Sequence, residues 1–251
     1  MRISIFLYGI VSYALGVASL LYLICFLLNI VVPKTIDSAP VGALATGIAT
    51  AVLVDLILVG LFAFQHSLMA RPGFKERWTR IVPKPAERST YVLMTGGVLA
   101  LLCWQWQPIP GVVWNVEGAV GKGLLQALFW LGWVILFAST FMINHFDLFG
   151  LRQVYLRLKG QPYRPVPFVK VALYRFVRHP IMLGLLIGLW ATPFMSAGHL
   201  LFAAATTLYI FIGIALEEHD TRQALGVDYE QYRCQTRMIL PLPLRLRRRK
   251  A

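Results

Sequence analysis

The sequence predicts an all-α protein, a polytopic integral membrane bundle of about six spans, and three observations carry that prediction. Hydrophobic residues make up 58% of the 251-residue chain, more than a water-soluble domain usually holds. Ile3–Val32, Ser89–Val116 and Gly123–Asn144 contain no charged residue, and each is at least as long as the roughly 20 residues that cross a bilayer. Lys and Arg alternate between loops: 22 of the 24 lie at Arg2 or in 65–89, 144–180 and 217–251, and the remaining two are Lys34 and Lys122.

Taken in order, the first span is drawn at 4–31; it has no small-residue cleavage site and reads as a retained span rather than a signal peptide. The second, 42–64, carries Asp55 as its single charge, read as an intrabundle tie. The third and fourth are drawn at 90–107 and 123–143. From Ile181 to Leu216 there are 36 residues without Asp, Glu, Lys or Arg, broken by "MSAGH" at Met195–His199. These small and turn-forming residues split the run into two short spans, 181–195 and 200–216, as a helical hairpin. Gly184 and Gly188 form a small-xxx-small pair suited to close helix packing. Cys25, Cys103 and Cys234 have no paired spacing, so neither a disulfide nor a thiolate metal site is expected. No domain boundary appears; 1–172 holds the first four spans and their loops, 173–241 the C-terminal half, and 242–251 a basic tail.

The net charge of +13 raises the question of nucleic acid. Its distribution answers for a membrane, because the positive-inside rule puts the N-terminus, the basic loops and the C-terminus in the cytosol of an inner-membrane protein. The tail "RLRRRK" is placed against anionic headgroups. No GxGxxG follows a strand and no βαβ pattern occurs, which excludes a soluble Rossmann-type nucleotide domain.

On this topology the unusual polar residues gather at one face. Gln65, His66 and Ser67 end the second span, "NHFD" (Asn144–Asp147) ends the fourth, Arg178 and His179 open the fifth, and "EEHD" (Glu217–Asp220) closes the sixth. Any one of these is an ordinary interfacial residue. Together they predict a cytosol-facing polar site beneath an apolar bundle, since ionisable groups at membrane depth need partners. Pro180 suits a first helical turn and biases His179 towards extended backbone. Glu217 and Glu218, at what reads as a helix C-terminus, are disfavoured by the dipole and repel one another. Arg178, or a ligand carrying positive charge and hydroxyls, would satisfy them.

"RHPIMLG", an apolar hairpin, "EE" and "LGVDYEQYRCQTRMILP" resemble the C-terminal half of the isoprenylcysteine carboxyl methyltransferase and phospholipid methyltransferase superfamily, over residues 173–241. The resemblance implies a pocket for S-adenosylmethionine formed by Tyr174, Arg178, His179, Pro180, Leu183, Gly184, Glu217 and Glu218. Met182 departs from the pattern, which often has Tyr there. "FQHSLMARPGFK", "INHFDLFGLRQVYL" and "ATPFMSAGHLLFA" extend the similarity across nearly the whole chain, to bacterial methanethiol S-methyltransferases of the MddA type; NnrU-type membrane proteins share parts of it. That similarity implies methylation of methanethiol to dimethyl sulfide, with S-adenosylhomocysteine released. Other acceptors compatible with the superfamily are a different small thiol, an isoprenylcysteine carboxylate or a lipid amine, and an NnrU-like haem protein would use the histidines as axial ligands.

Ordinary thiols are mostly protonated at neutral pH, so a base or nearby cation would assist. His145 is the first candidate, with Asp147 as an orienting partner if the helix ends between them; His66 is the second, and Arg178 supplies a cation. The alternative for His145 is a hydrogen bond that fixes the end of the fourth span.

Overall fold

The charge-free runs are helical over most of their length, and α1, α4 and α5 begin in the charged segments that precede them. The computed structural model describes residues 2–38 and 47–241; residues 42–46 of the expected second span and the basic tail, 242–251, lie outside them. Helix α1 (Arg2–Leu28) is followed by α2 (Ile48–Ala70), the short α3 (Pro72–Trp78), α4 (Lys84–Gln105) and strand β1 (Val112–Asn115). Then come α5 (Ala119–Met142), α6 (His145–Leu148), α7 (Leu151–Lys159), a 3₁₀ turn (Ala172–Arg175), α8 (Pro180–Trp190), strand β2 (Phe194–Ser196), α9 (Ala197–Leu225) and α10 (Val227–Gln235).

Four of these, α1, α2, α5 and α9, are long and apolar enough to cross a membrane, which makes this a membrane protein. Helix α4 has 22 residues, but its first turns hold Lys84, Glu87 and Arg88 and dilute its apolar character. The expected fifth span, 181–195, is corrected: α8 is helical for 11 residues only, about 16 Å of rise. The chain beyond Trp190 enters β2, which pairs antiparallel with β1 through Trp114–Met195 and Asn115–Phe194. This two-stranded sheet is a departure from the all-α expectation. Ser196 ends it and caps α9, accepting the His199 N–H at 3.0 Å. The expected sixth span, 200–216, is corrected as well, since α9 runs 29 residues and carries Glu217–Asp220 in its interior. The dipole penalty anticipated for those carboxylates therefore does not apply.

Helix α1 packs on α4 and α7, α2 on α4 and α9, and α5 on α8. The α5–α8 contact is the tightest. A Cβ on Gly184 would lie 2.4 Å from the Gly132 carbonyl oxygen, and one on Gly132 would lie 2.6 Å from that of Gly184. Phe26, Trp106 and Phe202 pack edge to face in the buried core, an arrangement favoured by the ring quadrupoles. Asp55 is fully buried, and its Oδ1 accepts the Gln107 N–H at 2.8 Å, tying α2 to the chain just beyond α4.

Candidate cofactor site

Beyond the 3₁₀ turn the chain is held by its own C-terminal segment. The Arg178 N–H donates to the Arg237 carbonyl at 2.8 Å and the His179 N–H to that of Met238 at 3.0 Å, beside a parallel bridge between Val177 and Arg237. Pro180 then occupies the first turn of α8, where its missing N–H costs nothing. This fixes Arg178 and His179 against the interior of α9.

Glu218 is the hub. Its Oε1 accepts from Arg178 Nε at 2.7 Å and lies 3.1 Å from His179 Nε2, and its Oε2 accepts from Arg233 Nε at 3.1 Å. Arg178 also donates through Nη1 to the carbonyls of Arg233 and Thr236. The side chains of Arg178 and Glu218 are 10% and 8% exposed, so each charge is desolvated and needs the other.

Glu217, one residue earlier, faces out. Its side chain is 57% exposed and its Oε2 lies 3.8 Å from His179 Nδ1. Tyr174 lies close enough to feel that carboxylate: burial first, then Glu217 and Tyr232, push its hydroxyl above the ordinary phenol range. Its carbonyl accepts the Tyr232 hydroxyl at 2.6 Å. Burial, opposed by Arg178 and reinforced by Glu218, raises the Tyr232 hydroxyl to about 12. These residues therefore divide between a saturated carboxylate that builds the scaffold and an accessible one beside it. Leu183 and Gly184 lie on α8 in the apolar interior, Leu183 against the hydrophobic core and Gly184 against Gly132 and Leu136.

Neighbouring helix ends are tied to the same end of the bundle. Arg71, at the end of α2, pairs with Asp220 at 2.9 Å and donates to the Leu216 carbonyl at 3.2 Å. His66 is enclosed by Tyr91, whose hydroxyl lies 2.8 Å from Nε2, and stacks on Phe62. Ser67 donates to the Tyr209 hydroxyl at 3.3 Å, and Tyr91 is within electrostatic reach of Glu217.

His145 and Asp147 do not meet. Asn144 adopts a left-handed conformation (φ 83°) and caps α6 through the Asp147 N–H, which turns the two side chains apart. His145 is buried between Tyr13, 2.9 Å from Nε2, and Thr140, 2.8 Å from Nδ1, with Phe141 stacked on its ring. Burial lowers its pKa and favours neutral imidazole. Asp147 instead accepts from Arg152 at 2.8 Å and from the Tyr163 hydroxyl at 3.2 Å. An apolar cavity of about 450 Å³ lies beside this region, lined by Phe6, Ile10 and Phe146 among others; it does not include the residues around Glu218.

Arg233 is the participant that the sequence alone did not supply. The available signal was arithmetic: a buried carboxylate beside one arginine still has a second oxygen to satisfy, and "EQYRCQ" offers the next cation along the chain.

The model of the NnrU protein family matches residues 53–219. The methanethiol S-methyltransferase of Mycobacterium tuberculosis (strain ATCC 25618 / H37Rv) is 52% identical over 239 residues, covering 95% of this chain and 96% of that protein. Methanethiol S-methyltransferase 1 of Bradyrhizobium diazoefficiens is 51% identical, covering 94% and 81%. Nurim of Bos taurus is 32% identical over 67% of each chain. No solved structure matches.

Proposed function

This chain belongs to the NnrU protein family, and on that premise we propose that it is a membrane thiol S-methyltransferase that converts methanethiol and S-adenosylmethionine to dimethyl sulfide and S-adenosylhomocysteine. Near 50% identity over almost the full length to relatives named methanethiol S-methyltransferase carries this reading. The Arg178–Glu218 cluster beside an accessible Glu217 supports the cofactor assignment.

The donor set suits such a cofactor. Glu217 presents a carboxylate to a cation, while the carboxylate of Glu218 is already consumed by Arg178, His179 and Arg233. Glu217, His179 and Tyr174 are the residues proposed to hold it. When bound, S-adenosylmethionine supplies an electrophilic methyl group on a positive sulfonium. Glu218 and the backbone carbonyls lock Arg178, so that neither Arg178 nor His179 must reorganise during the reaction; fixed geometry of this kind can contribute several kcal/mol, up to about 10 in well-oriented systems. Transfer of that methyl to a thiol would also need the thiol proton taken up by a base or by water. Each histidine has hydroxyls on both ring nitrogens, Tyr91 and Thr95 at His66 and Tyr13 and Thr140 at His145; His66 is the better placed for that role because Tyr91 lies within electrostatic reach of Glu217.

The proposed topology keeps the basic loops and the site on the cytosolic side, with α4, and α8 continued by the chain into β2, completing a six-pass path. A charged cofactor then arrives from the cytosol and a small apolar thiol from the bilayer. The deciding experiment is headspace gas chromatography on the detergent-purified protein given S-adenosylmethionine and methanethiol. Dimethyl sulfide from the wild type and its loss in Glu217→Gln is the expected result. Cofactor binding without product from methanethiol, but with product from longer thiols, an isoprenylcysteine or a lipid amine, would move the acceptor. No cofactor binding by folded protein would end the proposal.

A further inference from the structure

A second cavity, of about 580 Å³, lies away from Glu218, between α3, the start of α4, α6 and α7. Its wall carries four cations, Lys75, Lys84, Arg88 and Arg157, with Glu87 and Asp147 as its acids. Asp147 is already taken by Arg152 at 2.8 Å, which leaves four positive charges facing one uncommitted carboxylate. Among the described residues none of the four makes an ion pair. The parts of the sequence outside them, Met1, 39–46 and 242–251, contain no Asp or Glu to supply a side-chain counter-ion.

Like charges gathered around one hollow repel. Burial lowers the Lys75 pKa, with the Arg88 and Arg71 charges adding to the shift and Glu87 and Asp220 opposing it. The first turn of α4 adds to the same field: its N-cap is Pro83, no side chain caps its N–H groups, and a helix N-terminus favours an anion. On the wall, Gln153 donates its amide to the Asp147 carbonyl at 3.0 Å, while its own Oε1 is buried without a partner among the described residues. That oxygen would accept from a hydroxyl on a ligand.

We infer that this cavity binds a phosphate-bearing anion. Arg157 offers a planar fork for phosphate oxygens; Arg88, whose Nε is given to the Leu148 carbonyl at 2.7 Å and whose guanidinium lies over Tyr91, adds its terminal N–H groups; Lys75 and Lys84 are point charges, and Gln153 is an acceptor for a neighbouring hydroxyl. An anionic phosphoglycerol headgroup and a free phosphate share this chemistry, so the source is settled by experiment.

The test uses the full chain in detergent and the double variant Lys84→Gln with Arg157→Gln, which keeps the side-chain stems and touches no buried position. Native mass spectrometry compares retention of dioleoyl phosphatidylglycerol with that of dioleoyl phosphatidylcholine, and a thermal melt compares sodium phosphate with chloride at equal ionic strength. Losing two charged contacts should cut retention of the anionic lipid at least about tenfold. Selective retention of phosphatidylglycerol that the variant loses, with phosphate inert, identifies a lipid headgroup. Stabilisation by phosphate that the variant loses, with no lipid selectivity, identifies a soluble phosphate. If wild type and variant behave alike in both arms, the inference is overturned. Cofactor binding at Glu217 is read separately in the same samples, so a failure here does not touch the methyltransferase proposal.

Discussion

Arg178 and Glu218, forty residues apart, share a 2.7 Å hydrogen bond in which both side chains are about nine-tenths buried. Adjacent in sequence to that pair, His179 and Glu217 have a looser relation, 3.8 Å apart with Glu217 more than half exposed. The two glutamates should therefore respond differently to substitution.

Arg178→Ala leaves the buried Glu218 carboxylate with Arg233 and His179 alone and should cost about 3 kcal/mol of stability, the lower end of what removing a partner from a buried pair costs. Thermal unfolding in detergent measures this. A melting temperature within a degree or so of the wild type would mean that the pair holds little of the fold.

Glu217→Gln should change stability by less than about 0.5 kcal/mol, as for an exposed position. Its affinity for S-adenosylmethionine, measured by calorimetry, should fall about tenfold or more if this carboxylate meets a cation. Unchanged affinity would remove Glu217 from the site.

Gly184→Ala should destabilise the α5–α8 contact by about 1–3 kcal/mol or more, because the new methyl meets the Gly132 backbone at 2.4 Å. Gly97→Ala, in α4 with nothing within 4 Å of the added methyl, is the control and should be neutral or stabilising by up to about 1 kcal/mol. Equal effects of the two would argue against close packing at Gly184.

Much of this architecture was legible beforehand. Charge-free runs located α1, α4 and α5, and a run with Asp55 as its single charge located α2, because burying uncompensated charge in hydrocarbon is what the sequence avoids there. Helix ends were not legible by the same rule. Helix α9 continues beyond Leu216 because backbone hydrogen bonding does not stop where hydrophobicity stops, and Thr221 and Arg222 donate back to the Glu217 and Glu218 carbonyls. The pairing of β1 with β2 was invisible because a three-residue strand has no period to detect. The pairing of Arg178 with Glu218 was anticipated from a helix-end dipole that is not there, since α9 continues past Glu218; the need of a carboxylate for a cation survives that error. The pairing expected for His145 and Asp147 failed at Asn144, whose left-handed turn no side-chain spacing encodes.

The pH response of His145 has a definite sign. Burial lowers its folded pKa below that of the unfolded chain, so the unfolded state binds the proton more readily. Stability is full above about pH 6.5 and is lost as pH falls below it, towards the folded pKa. His145→Gln should abolish that component, so the stability gap between wild type and variant narrows on acidification. A gap constant from pH 8 to pH 5 (measured by denaturant unfolding) would show that His145 does not titrate differently on folding.

The backbone bridge from Val177–His179 to Arg237–Met238 also sets an order of events during synthesis. A nascent chain that has threaded all four long apolar helices into the bilayer still holds Glu218 opposite an arginine with no anchored backbone, until residue 238 leaves the ribosome. Fragments that terminate before that point would insert and persist in the membrane as inert protein, so abundance in the membrane fraction and activity would part company in any truncation series.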